Sequence, residues 1–121
     1  MNLTNGQIYS ITEELYKMRQ VALPIKLSFL IAKNLIILEP FYKAIIDTRT
    51  KILEDYGYDG SPNFRFSEET TQKINQALIE IQDIENEIFL GKLPLSLMLE
   101  TNTNITPNEM EILYPIISEE D

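Results

Sequence analysis

The sequence predicts a mainly α protein: a helical hairpin whose long second helix is kinked, then a third helix and a short C-terminal helix. Three observations carry that expectation. Apolar residues recur at helical spacing through residues 5–19, 24–55 and 67–83. Helix-start signatures stand at Thr4–Gln7, Pro24, Ser67 and Thr106–Glu109. Clusters rich in Gly, Pro and Asn separate the periodic segments. The 121 residues, 44% hydrophobic and 24% charged, fit one α-helical domain spanning 1–121. That length buries a core without disulfide or metal staples.

Thr4, with Gln7 three residues on, forms a capping-box pattern that opens the first helix. Ile8, Ile11, Leu15 and Met18 then line one face, and Glu13 and Glu14 pair with Lys17 on the outer side. Pro24 suits the first turn of the second helix, which runs to about Asp55. Pro40 lies inside it, lacks an N–H and crowds the Ile36 carbonyl. A kink near 37–40 is expected, with a break into two helices as the alternative.

"DYGYDGSP" (55–62) is a turn cluster, and Phe64-Arg65-Phe66 alternates like a short strand. Ser67 caps the third helix, where Glu68 and Glu69 suit the N-terminal dipole and Ile74, Leu78, Ile81, Ile84 and Ile88 form the apolar stripe. Between Asp83 and Leu90 the pattern reads two ways. "NEIFL" either finishes the helix or pairs with "NFRF" in a two-stranded hairpin, and the nearby Gly91 and Pro94 favour the hairpin. "LPLSLMLE" reads as a compact turn or short helix and "TNTN" as a polar linker. Thr106-Pro107-Asn108-Glu109 opens the terminal helix, Pro115 stops it, and "SEED" is a solvated end.

The chain has no cysteine and no histidine. Disulfides, thiolate nucleophiles, the commonest general base and the commonest metal ligand are all missing. Its serines and threonines have no histidine base, no G-x-S-x-G or S-x-x-K pattern supports a lysine in that role, and its four glycines follow no phosphate-cradling spacing. The expectation is a protein that binds and does not catalyse, with no cofactor and no metal. A hard cation on the Glu80–Asp83–Glu87 stripe is the weaker alternative to a solvated face. "MNLTNGQIYS" lacks the charged and apolar regions of a signal peptide, and no apolar run reaches the ~20 residues of a membrane span. No membrane contact and a cytoplasmic location are expected.

Charge is divided unevenly. Residues 1–66 carry 8 basic and 7 acidic side chains, whereas 67–121 carry 2 and 12. Such an acidic half repels phosphate, so direct nucleic-acid binding is not expected, and it attracts a basic protein surface. The candidate partner-binding residues are Glu80, Asp83, Glu85 and Glu87, with Glu109 and Glu111 and then Glu119, Glu120 and Asp121 at the end. Their plain alternative is a solubilising face.

Lys26 and Lys33 lie within about 20° of each other on the second helix. They read first as the wet edge of a buried helix, their stems covering apolar surface. The functional alternative is an anion or ligand contact, with Tyr56 and Tyr58 of the turn cluster as further candidates. Between Leu27 and Leu38 almost everything off this edge is apolar. Two helices cover two sides, and a second copy is the natural third, so a homo-oligomer is expected.

"LTNGQIY", "LPIKLSFLIAKNLIILEP", "ILEDYG" and "ITPNEMEIL" together resemble a family of small proteins of unknown function from tailed phages and prophages of low-GC Gram-positive bacteria. Leu23, Pro24, Lys26, Ser28, Ala32, Lys33 and Asn34 carry the core of the resemblance. It implies a phage protein at work in the cytoplasm of a bacterial host, with no assigned activity. The functional expectation that follows is an inhibitor of a host protein, of the counter-defence type, with an acidic face that mimics nucleic acid. The alternatives are an oligomer that sequesters a small nucleotide signal and a virion or assembly accessory protein.

Overall fold

The computed structural model describes residues 1–101 and 104–119. Thr4 caps α1 (Asn5–Arg19) as its spacing predicts: the Gln7 amide donates to Thr4 Oγ1 at 3.1 Å, and the Thr4 amide donates to Gln7 Oε1 at 2.9 Å. Ile8, Ile11, Leu15 and Met18 are buried at that helical spacing. α2 (Ile25–Asp55) packs against α1 with Leu27, Ile31, Leu35, Leu38 and Ile45 inward. Their shared stripe is the core of an α-hairpin.

Pro40 does not break α2, which is one continuous helix. The proline lies on the exposed side, as does Ile36 four residues earlier. The carbonyl that loses its helical donor therefore faces water, which satisfies it. At the far end Gly57 takes φ +99°, its amide donates to Glu54 O, and the Tyr58 amide donates to Leu53 O. This is a Schellman closure, and the left-handed position is why glycine stands there.

Ser67 caps α3 (Glu68–Gln82) by accepting from the Thr70 amide at 3.1 Å. Only Ile74 of this helix is fully buried; Leu78 and Ile81 are partly covered and Ile84 lies outside. The expected stripe is therefore only half used. The chain then forms β2 (Glu85–Glu87), and its partner differs from the sequence expectation. β2 pairs antiparallel with β1 (Asn2–Thr4), in the register Asn2 to Glu87 and Thr4 to Glu85. Residues 64–66 form no strand. Phe64 and Phe66 instead pack edge to face at 4.8 Å, with Tyr58 against both, and this side-chain contact accounts for their alternation.

The β1–β2 ribbon is secured at both ends. Ile88 N–H donates to Met1 O, and Asn86 Nδ2 donates to Asn5 Oδ1 at 2.7 Å. Beyond it come β3 (Leu93–Pro94), α4 (Leu95–Leu99), α5 (Pro107–Leu113), a single 3-10 turn at Tyr114–Ile116, and β4 (Ile117–Ser118). β4 pairs parallel with β3, Leu93 to Ile117, and Lys92 Nζ donates to Pro115 O at 2.6 Å. Leu93, Leu113 and Ile116 thereby close the core over the α-hairpin. No helix among the described residues is long and apolar enough to cross a membrane.

Candidate functional site

Three surfaces hold the residues that the sequence singles out. The first is the acidic corner where α3 meets β2. Asp83 is the C-cap of α3, followed at once by Glu85 and Glu87 on the outer side of β2, and Glu80 is exposed one turn earlier. Carboxylates at a helix C-terminus oppose its dipole, and the last turn of α3 holds no basic residue. No ion pair among the described residues involves any of these four side chains, nor Glu111. The nearest cations named by contact are the Met1 ammonium, which donates to Ile88 O beside Glu87, and Arg49, which shares a groove with Ile79 and Gln82.

Asp83 and Glu111 line one open groove of about 340 Å³ over the start of α1. Thr4, Gln7, Ser10, Gln82 and Asn108 supply further polar groups, and the lining holds no cation. The positive end of the α1 dipole offsets part of the charge there. Glu80, Glu85 and Glu87 lie on the surrounding surface and not in the groove. Among the described residues no three Asp or Glu side chains are grouped to hold a metal ion.

Glu109 stands apart from that corner and takes the capping position that its spacing predicts. It is the third residue of the α5 capping box, where the Thr106 amide donates to its carboxylate at 3.0 Å. That bond holds its pKa below the ordinary 4.5. Glu109 also lines a small cavity of about 50 Å³ with Glu14, Lys17 and Met18, roughly 200° around α5 from Glu111. It closes a helix end and does not extend the acidic corner. Glu119 is exposed after β4, while Glu120 and Asp121 lie outside the described residues.

The second surface is the outer side of α2. Lys26 and Lys33 are both exposed there, as an edge. Beside them Ile25, Phe29 and Ile36 are 89%, 65% and 74% exposed. Tyr56 and Tyr58 lie beyond the opposite end of the helix, ~35–45 Å along the axis from the lysines at 1.5 Å per residue. Within one chain the four residues form no common ligand site, because the uninterrupted helix holds them apart. Tyr58 is engaged with Phe64 and Phe66 instead.

The third surface is the seam between α1 and α2, of which the sequence analysis named only Glu13, and that as a surface partner of Lys17. Tyr42 stacks on Tyr9 at 5.3 Å, meets Tyr16 edge-on at 5.6 Å, and donates its hydroxyl to the Glu13 carboxylate. Arg49 lies over Tyr9 and Arg19 over Tyr16, at 4.3 and 4.7 Å. Burial, then the bond to Glu13, raises the Tyr42 pKa, and burial with the nearby Glu39 raises that of Tyr16. The only hint in the sequence was the mixture of Tyr9, Tyr16 and Tyr42 with charged neighbours at helical spacing. Glu14 pairs with Lys17 at 3.1 Å as the spacing predicts, but Glu14 is buried and Glu13 is taken by Tyr42, so the two carboxylates do not lie on the outer side as expected.

Chemically, these surfaces offer charge, hydrogen-bond acceptors and apolar contact. The hydroxyl that stands against a carboxylate on these surfaces, Tyr42 on Glu13, is packed into the α1–α2 seam. Compared with protein-family models, curated proteins and solved structures, the chain matches none.

Proposed function

We propose that this chain is a non-enzymatic binding protein, encoded by a phage, that inhibits a host protein by presenting its acidic corner to a basic surface. One observation carries the reading. Glu80, Asp83, Glu85 and Glu87 gather where α3 ends, with Glu111 across the groove from Asp83, and none forms an ion pair among the described residues. Charge placed against the C-terminal dipole of α3 costs stability, so Glu80 and Asp83 serve the fold poorly there. A negative field of this kind speeds encounter with a positive surface of the kind that binds nucleic acid. The absence of histidine and cysteine makes binding the natural mode of action. The host cytoplasm is the proposed place of action.

The test is capture of a partner from host lysate, followed by binding kinetics with that partner. Glu80→Gln, Asp83→Asn, Glu87→Gln and Glu111→Gln combined should slow association about tenfold, as should raising salt well above ~0.15 M. The fold should be unchanged by circular dichroism, since all four side chains are exposed. A captured partner whose association ignores both changes would sink the acidic-corner mechanism.

A further inference from the structure

We infer that this chain also self-associates head to tail, the exposed stripe of α2 in one copy seating on the acidic corner of the next. The inference does not depend on the host-protein reading. On α2, Ile25, Phe29, Ala32, Ile36 and Pro40 are all exposed and fall within about 80° of the helix surface. A continuous apolar stripe of this kind on a folded chain marks a contact surface. Lys26 and Lys33 border one flank and Lys43 continues the stripe, none of the three in an ion pair among the described residues, while Glu39, 4.0 Å from Arg19, borders the other flank.

The acidic corner has the complementary character. Ile79 and Ile84 are 56% and 48% exposed there. Glu80, Asp83, Glu85 and Glu87 border them, again unpaired among the described residues. An apolar stripe edged with ammonium groups thus has its counterpart on the same chain, as apolar side chains edged with carboxylates.

Charge also selects the symmetry. If two copies paired antiparallel through α2 about a two-fold axis, like flanks would meet, so the lysine-bearing flank of one copy would lie along that of the other. Head-to-tail contact sets lysines against carboxylates instead. An anionic lipid surface is disfavoured as occupant by the net charge of −9. The stripe runs ~24 Å along the helix and is ~10 Å wide, about 240 Å² against the roughly 800 Å² per partner of a standard interface, so association is weak and concentration-dependent. Because the acidic corner is shared, a host partner and a second copy would compete for it.

The experiment is sedimentation equilibrium on the full chain from ~10 µM to ~1 mM at low salt. The mean mass should rise with concentration past that of a dimer, and raising salt tenfold should weaken association about tenfold. Phe29→Gln with Ile36→Gln silences one face, and Glu80→Lys with Asp83→Lys silences the other; all four positions are exposed, so both variants keep the fold. Each variant alone should be monomeric, and an equimolar mixture should stop at a one-to-one dimer. A wild-type monomer at ~1 mM overturns the inference, whether or not the chain binds vesicles containing phosphatidylglycerol. A dimer that survives Glu80→Lys/Asp83→Lys but not Phe29→Gln/Ile36→Gln means two-fold pairing through α2, and overturns it equally. Host-partner capture by the monomeric Phe29→Gln/Ile36→Gln variant keeps the two readings separate.

Discussion

Asn34 holds Gly91 by both of its backbone polar groups. The side-chain Nδ2 donates to the Gly91 carbonyl at 2.8 Å, and the Gly91 amide donates to Asn34 Oδ1 at 2.8 Å. Asn34 is wholly buried in the middle of α2, and Gly91 is 57 residues away between Leu90 and Lys92. An asparagine is the side chain that satisfies a peptide unit in this way, with one donor and one acceptor. The clasp fixes the route of the chain from β2 to β3 across the α-hairpin.

Asn34→Ala should therefore cost about 2–4 kcal/mol in urea unfolding, because two bonds vanish and two backbone groups lose their partners. Gly91→Ala should be nearly silent, within about 0.5 kcal/mol. A Cβ at Gly91 would meet Asn34 Oδ1 at 3.5 Å and Leu30 Cδ2 at 3.6 Å, which is ordinary contact. If Gly91→Ala proved the more damaging of the two, the clasp would not be what holds this segment.

The contrast between Asn34 and its neighbours explains what was legible in the sequence. Both capping boxes and the bounds of α1 could be read because each rests on residues within one helical turn. The β1–β2 pairing could not, since three residues give too short a period and the two strands lie about 80 residues apart. The two-residue β3–β4 ladder carries no periodic signal at all. Asn34 was visible as one of two polar residues, with Lys33, amid "FLIAKNLIIL", but nothing local shows that its partner is a backbone near residue 91. Of the acidic candidates, Asp83 and Glu111 meet across a groove, whereas Glu109 closes a helix. Residue type alone does not separate those roles.

α3 should be the first helix to open. Only Ile74 of its 15 residues is buried, against six buried residues in α1 of equal length. Protection in native-state hydrogen exchange follows buried contact, so amides of α3 should exchange through local opening well below the global unfolding free energy. Ile74→Ala should widen the gap, removing about 2–4 kcal/mol of burial from a helix that has little else. Equal protection in α1 and α3 would contradict this reading.

Acid should loosen α5. The Glu109 carboxylate is held below its ordinary 4.5 chiefly by the Thr106 amide. A depressed folded pKa contributes stability that is present above pH 4.5 and is lost as pH falls through the folded value. Thr106→Ala removes the hydroxyl half of the cap at a cost of about 1 kcal/mol near neutral pH. Glu109→Gln keeps a side-chain acceptor but removes the titrating charge, so its thermal midpoint should vary less than the wild type's below pH 4.5. Identical acid profiles for wild type and Glu109→Gln would show that the capping box does not govern this limb.

Alkali should act on the opposite side of the hairpin, through Tyr42. Its hydroxyl donates to the Glu13 carboxylate, a bond that exists only while the phenol keeps its proton. Burial and that bond raise its pKa above the ordinary 10.0. With a raised folded value, the stabilisation is fully present below pH 10.0 and is lost as pH rises through the folded pKa. Tyr16 and Lys17 are raised too and act in the same direction, so the wild-type slope alone would not identify Tyr42. Tyr42→Phe separates them: it keeps the ring against Tyr9 and Tyr16 and deletes only the hydroxyl. The variant should lose about 1–2 kcal/mol at neutral pH, the worth of a hydrogen bond to a charged acceptor in a half-covered site. It should also fall less steeply above pH 10.0, and one tyrosine that titrates late in ultraviolet difference spectra should disappear. If the late tyrosine remains and the alkaline slope is unchanged, the donor to Glu13 contributes nothing to holding α1 against α2.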